Sequence, residues 1–331
     1  MRDDSSAIWR PQRDIEIVAG TSLGGGLDRV ARALANAITE RPTSDVAVKV
    51  VNIPGDGARR AWSTIDQHPG DAHVIAISSP NLASDYLTGL ASFDHNRYSP
   101  IAILLTEYIA FAVSETSPIK TGADLLAKLA TDPADVTVAL STALGNPNHL
   151  AFAKLVSHVD GDIRIPPIRV FDNALDAVAD VVAGNAVVAA VTAASVLPAL
   201  QAGTVRILAI SSPQRLEAPF AQTPTWREQA VDCTIGAWRG VTAPSGIDAG
   251  QRAFWEAALK IAIETPSWNA ELIRNCWSPF YHEGPSLRQY LAEEQQDFAT
   301  RLAQLGLLRA ASPAARSAPT PHHVTQRDLN P

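Results

Sequence analysis

The feature that most constrains this chain is an apolar run that empties into a glycine-rich loop and then into an amphipathic helix. Arg13 to Gly20 (Arg-Asp-Ile-Glu-Ile-Val-Ala-Gly) alternates and then turns apolar, as a strand does, and Thr21-Ser22-Leu23-Gly24-Gly25-Gly26-Leu27-Asp28 follows at once. Val30, Ala33, Leu34, Ala37 and Ile38 then recur at three- and four-residue spacings, on one helical face. Two more units repeat the theme. Val46 to Ile53 leads through Pro54-Gly55-Asp56-Gly57 into a helix from Ala58 to His68, and His73 to Ile77 ends in Ser78-Ser79-Pro80-Asn81. Strands alternating with helices require a mainly parallel sheet covered on both faces.

The logic restarts in the second half. The pattern predicts a strand at Val136 to Leu140, a loop at Ser141 to Asn148, a helix at His149 to Ser157, a strand at Ile165 to Arg169, a loop at Val170 to Asn173 and a helix at Ala174 to Ala183. Ala186 to Val191 and Val205 to Ile210 continue that sheet, separated by a helix at Ala193 to Ala202 with Pro198 near its start. Between the halves, Tyr98 to Val113 reads as two short extended segments, with Ser114 to Ile119 as the crossing into a helix at Gly122 to Ala130. Ile235 to Thr242 returns as an extended segment, and helical patterns follow at Ala249 to Glu264 and Leu287 to Leu305. The expected division is one lobe from residues 1–112 and 236–309, a second from 113–235, and a disordered tail at 310–331.

Composition excludes several classes. The chain of 331 residues carries a net charge of -7 with no run of Lys and Arg, so a nucleic-acid partner is not expected. Val187 to Val191 and Ile101 to Leu105 fall far short of the roughly 20 apolar residues that cross a bilayer. Met-Arg-Asp-Asp-Ser-Ser lacks the basic region and apolar run of a secretory signal, so the expectation is either a cytosolic protein or a chain read without its export signal. Cys233 and Cys276 make neither a zinc site nor a Cys-x-x-Cys pair. Ser195, in Ala-Ala-Ser-Val-Leu, is no nucleophile elbow, and the eight histidines form no His-Glu-x-x-His motif. No catalytic residue, metal or cofactor is expected.

Loops at the carboxyl ends of strands converge on one edge of an open parallel sheet, and ligands bind there. Four loops qualify, offering Ser22, Leu23, Gly24, Gly25, Gly26 and Asp28 in the first, Ser78, Ser79 and Asn81 in the second, Ser141, Thr142, Gly145, Asn146, Asn148 and His149 in the third, and Phe171 and Asp172 in the fourth. Consecutive glycines before a helix let the main chain approach an anion and leave first-turn amides unpaired. They match neither Gly-x-Gly-x-x-Gly nor the loop of nucleoside-triphosphate binders, and an ordinary tight turn gives the same residues. Asp28 and the Ser and Asn residues equally suit helix capping, and His149 is either structural or, when protonated, a carboxylate partner. Arg239, between Trp238 and Gly240, pairs either with a ligand carboxylate or with a structural acid such as Glu107 or Asp28.

Taken in order, Gly24 to Arg32, Ser78 to Asn81, Pro118-Ile119-Lys120-Thr121, Leu208 to Arg215, Thr223-Pro224-Thr225 and Trp238 to Pro244 resemble the periplasmic solute receptors of tripartite tricarboxylate transporters, the TctC or Bug family, over about residues 11 to 309. The resemblance implies a two-lobed α/β fold of the periplasmic-binding-protein kind, type II-like, with two crossing strands and a ligand cleft between the lobes. It implies that Ser22 to Asp28 and Ser141 to Asn148 grip one carboxylate of a small organic acid, a dicarboxylate, tricarboxylate or aromatic acid. Ser78 to Asn81 and the segment around Phe171 add contacts, and a membrane permease receives the solute in the periplasm. Leu23 and Leu27 are bulkier than the family's usual residues, which narrows the entrance, and Asp172-Asn173 stands where the family often has Lys-Gly, which counts against a tricarboxylate. A monomer is expected, since both cleft and docking faces must stay accessible. The rival readings are an organic-acid lyase or hydrolase with Asp28 or His149 as general base, and a carboxylate-sensing module.

Overall fold

The computed structural model describes residues 9–309, so the expectation for 310–331 lies outside the described residues. In chain order the elements of the first half are β1 (Ile15–Ala19), α1 (Gly26–Glu40), β2 (Val48–Asn52), α2 (Arg59–Ile65), β3 (Val74–Ser78), α3 (Asn81–Thr88) and β4 (Ser99–Ser114). Then come α4 (Gly122–Thr131), β5 (Val138–Ser141), α5 (Pro147–His158), β6 (Ile168–Phe171), α6 (Ala174–Val182), β7 (Val188–Thr192), α7 (Ala193–Gln201) and β8 (Val205–Ile210). The chain closes with β9 (Gly236–Ala243), α8 (Ala249–Ala262), α9 (Pro266–Arg274), β10 (Ser278–Glu283) and α10 (Gly284–Gln304).

These strands build two half-sheets joined through β4. On one side the order is β2-β1-β3-β9-β4, with β10 also on β4; on the other, β4 pairs with β7 and β8, and β7-β5-β6 completes the layer. The β1/β2, β1/β3, β5/β6 and β5/β7 pairs are parallel, as the strand-helix alternation requires, while β9, β10 and β4 run antiparallel to their neighbours. Each half has its own core. Val30, Leu34 and Ile38 of α1 pack with Trp255 and Leu259 in the first, and Phe111 packs with Phe152, Leu155 and Trp226 in the second. Burying such side chains contributes about 1.5–3 kcal/mol each.

The crossing differs from its sequence expectation. Tyr98 to Val113 is not two segments but most of one strand of 16 residues, whose Ser99 to Tyr108 pair with β9 and whose Ile109 to Ala112 pair with β7. The pairing partner thus changes from β9 to β7 between Tyr108 and Ile109. Thr106-Glu107-Tyr108 looks like a polar break, yet Thr106 and Glu107 are buried inside the strand, where Arg239 sits beside the Glu107 carboxylate. At the same level Ser211 gathers the crossing segments: its hydroxyl accepts the Ile109 amide at 2.8 Å and donates to the Ile235 carbonyl at 2.6 Å. Two elements, α9 and β10, had no counterpart in the sequence reading, and Pro198 lies past the middle of α7 rather than near its start.

Candidate functional site

In both halves a parallel strand delivers the chain to a helix start at the same edge. β1, β3, β5, β6 and β7 run into α1, α3, α5, α6 and α7, and the first residues of all these helices line one cavity of about 330 Å3 between the lobes. Gly25 and Gly26 come from the start of α1, Ser79 and Asn81 from α3, Asn146 and Asn148 from α5, Asn173 and Ala174 from α6, and Thr192 and Ser195 from α7. Helix N-termini carry partial positive charge and unpaired amides, so their convergence favours an anion. α1 has no side-chain cap, and the amides of Gly26 and Leu27 find no acceptor among the described residues.

The loops are held by their own side chains. Asp28 is buried and accepts from the Gly24 amide at 2.8 Å, from Asn52 Nδ2 at 2.8 Å and from Arg32 Nε at 3.0 Å. Burial alone would raise its carboxyl, but Arg32, the Gly24 amide and Asn52 together hold it below the ordinary carboxylate range. Asp28 thus shapes the glycine loop from behind. In the facing loop Asn146 caps α5 by accepting the His149 amide, while its Nδ2 donates to the Ser141 carbonyl at 2.7 Å and to Thr142 Oγ1 at 2.8 Å. Thr142 has φ of 72°, a strained setting for a β-branched residue. Its hydroxyl also accepts from Asn81 Nδ2 across the cavity at 3.0 Å, which leaves its own proton free to donate. Ser141 Oγ accepts from Asn148 Nδ2 at 3.0 Å and is left as a donor in the same way.

Two guanidinium groups complete the floor. Arg239 places Nε 2.9 Å from Glu107 Oε1 and donates from Nη1 to the Trp238 carbonyl. Of its two expected partners it takes the structural acid, and it also lines the cavity. Arg29 reaches from α1 to the other lobe, donating to the Gly24 carbonyl at 3.0 Å and to Ser195 Oγ at 3.2 Å. Burial holds the Arg29 guanidinium below its ordinary range; Glu107 opposes that shift, Arg239 adds to it and Asp28 opposes it.

The cavity brings together Ser22, Gly25, Gly26, Ser79, Asn81, Ser141, Thr142, Asn146, Asn148, Asp172 and Arg239 of the expected residues. Others stand behind or outside it. Leu23 is 74% exposed, Gly24 and Gly145 supply turns with positive φ, and Ser78 is buried against Thr242. Phe171 is half-buried under the Arg169 guanidinium. His149 is buried with Nδ1 accepting the Gly145 amide at 2.9 Å, and burial pushes its pKa down to about 4, so its ring is neutral at ordinary pH. Sequence reasoning missed Thr21, Arg29, Arg60, Thr192 and Ser195 as lining residues, along with Gly55 and Gly57. The Pro54-Gly55-Asp56-Gly57 turn was the available signal for the last pair; the placement of Arg29 and Ser195 depends on how the lobes face each other.

Among the described residues no group of three or more His, Cys, Asp or Glu side chains is arranged to hold a metal ion, and both cysteines are free and buried. No described helix is long and apolar enough to cross a membrane.

Comparison with known proteins agrees with this geometry. The model of the tripartite tricarboxylate transporter family receptor, TctC, matches residues 30–307. A Cupriavidus necator protein described as UPF0065 protein in gbd 5'region is 24% identical over 307 residues, covering 91% of this chain and 90% of its own. A ligand-free TctC solute binding protein from Polaromonas superposes with a TM-score of 0.66 at 25% identity, covering 90% of this chain and 100% of that one. MatC from Rhodopseudomonas palustris, with bound malate, gives 0.76 at 19% identity over 88% of this chain and 100% of its own. With a matching family model over most of its length and the two-lobed fold around one anion-favouring cavity, this chain belongs to the tripartite tricarboxylate transporter receptor family, TctC.

Proposed function

We propose that this protein is a periplasmic solute-binding receptor that captures a small organic carboxylate between its lobes and delivers it to the membrane permease of a tripartite tricarboxylate transporter, acting as a monomer. The observation that carries the reading is the meeting of helix starts from both lobes at one cavity, where main-chain amides and the Ser141 and Thr142 hydroxyls are left as donors. Such preorganised donors hold an anion strongly in a partly dry site. The carboxylate sits between Ser22 to Gly26 on one side and Ser141 to Asn148 on the other. Malate bound to MatC supports an acid of that size. The lyase or hydrolase reading loses its bases: the Asp28 carboxylate is taken up by Gly24, Arg32 and Asn52, and neither Asp28 nor His149 lines the cavity.

Calorimetric titration with a panel of mono-, di- and tricarboxylates tests this. One acid is expected to bind at one site per chain and to be recovered unchanged after prolonged incubation. A folded protein that binds none of them would overturn the proposal.

A further inference from the structure

The charge at the cavity floor does not balance. Arg29 and Arg239 lie so close that the Nη2 atoms of both are 3.9 Å from the point where a Cβ on Gly26 would stand. Two buried carboxylates lie near them: Glu107, only 1% exposed, pairs with Arg239 Nε, while Asp28, also 1% exposed, is taken up by Arg32, Asn52 and the Gly24 amide. Asp172, the acid that lines the cavity itself, is solvent-exposed. Arg239 is 9% exposed, yet its Nη2 has no acceptor among the described residues. Arg29 Nε is buried without an acceptor. A guanidinium taken out of water without a full set of acceptors is costly, so the floor is electrostatically incomplete as it stands.

We infer that this floor is a second anion subsite, and that the receptor selects dicarboxylates over monocarboxylates. The inference rests on the carboxylate-receptor reading above and adds a second contact to it. One carboxylate takes the amides and hydroxyls of the facing loops, while the other takes the free edge of Arg239 together with Arg29, supported by Ser195. Arginine suits this role because its planar fork can bind both oxygens of a carboxylate at once. A cavity of about 330 Å3 holds a short diacid whole.

The test is calorimetry on the full chain with succinate, glutarate and adipate against the matched monoacids butyrate, valerate and hexanoate. At least one diacid is expected to bind about 10- to 100-fold more tightly than its monoacid, the range for a charge-assisted contact made inside a protein. Arg29→Gln is expected to shrink that preference about tenfold or more, with Arg29→Lys restoring part of it. The paired variant Glu107→Gln with Arg239→Gln reads the other half of the subsite without leaving the buried carboxylate unpartnered, and thermal unfolding establishes that each variant is folded. Equal affinity for diacid and monoacid, or an unchanged preference in both Gln variants, overturns the subsite while leaving the receptor reading intact. Binding of no acid at all overturns both.

Discussion

At the residue scale, Glu294 is the acid whose protonation the fold most plainly controls. Its carboxylate accepts Trp238 Nε1 at 2.7 and 2.8 Å and the Tyr290 hydroxyl at 3.2 Å. Burial nevertheless pushes its pKa up to about 7, because those donors offset only part of the lost hydration. The folded protein therefore holds a proton there that the unfolded chain, with an ordinary value of 4.5, releases. Stability from this group is full below the ordinary carboxylate range, falls as pH climbs toward 7, and is lost above it. Glu294→Gln should flatten that slope and raise the unfolding free energy at pH 8 by about 1–2 kcal/mol, measured by urea unfolding across pH. His149 acts in the opposite direction. With its folded value near 4, its contribution is present above the ordinary value of 6.5 and lost as pH falls toward 4. The Glu294 variant should therefore leave a profile that rises through the range where His149 titrates, and an unchanged alkaline limb would refute the assignment.

At the element scale, β9 lies tightly against β4. A Cβ on Gly240 would stand 2.6 Å from the Ala102 carbonyl oxygen, and one on Gly236 would stand 2.3 Å from Thr106 Oγ1. The first neighbour is backbone and cannot step aside; the second is a side chain. Gly240→Ala should cost about 2–4 kcal/mol in chemical denaturation with no single compensating change, whereas Gly236→Ala should be largely rescued by Thr106→Ala. Equal rescue of both would show that the strands can shift to relieve either contact. The same region marks how far the sequence could be read. The βα units were legible because an apolar run, a glycine or serine loop and a 3.6-residue period are all local signals. β4 was not legible as one strand, since its polar centre is tolerated only because Arg239, more than a hundred residues away, reaches Glu107. β10 was missed because Ser-Pro-Phe-Tyr-His-Glu has no clean alternation, and it joins the sheet through an irregular register with β4.

For the whole molecule, the lobes touch across the cavity through Asn81 and Thr142 and through Arg29 and Ser195. Bonds of this kind form only when the halves face each other closely. Asn81→Ala should weaken the bound acid about 3- to 10-fold, chiefly through faster release seen by stopped-flow, while unliganded stability changes by less than about 1 kcal/mol. Release at the parental rate would show that the bridge does not help to hold the acid. The candidate site was legible in the same uneven way. Loops of glycine, serine and asparagine announce themselves, but which side chains arrive from the opposite lobe is set by the facing of two cores, and no local pattern of residues encodes that. Arg29 illustrates it: it lies one position before Val30 of the apolar face of α1, and its partner Ser195 comes from α7.

A single length of backbone, Ser99 to Ser114, serves as a member of both layers. Neither half consequently owns a finished edge, and severing the molecule at its waist would leave two fragments each wanting part of the same rod. Loosening one side robs the other of its anchorage, so damage to either half is shared by both.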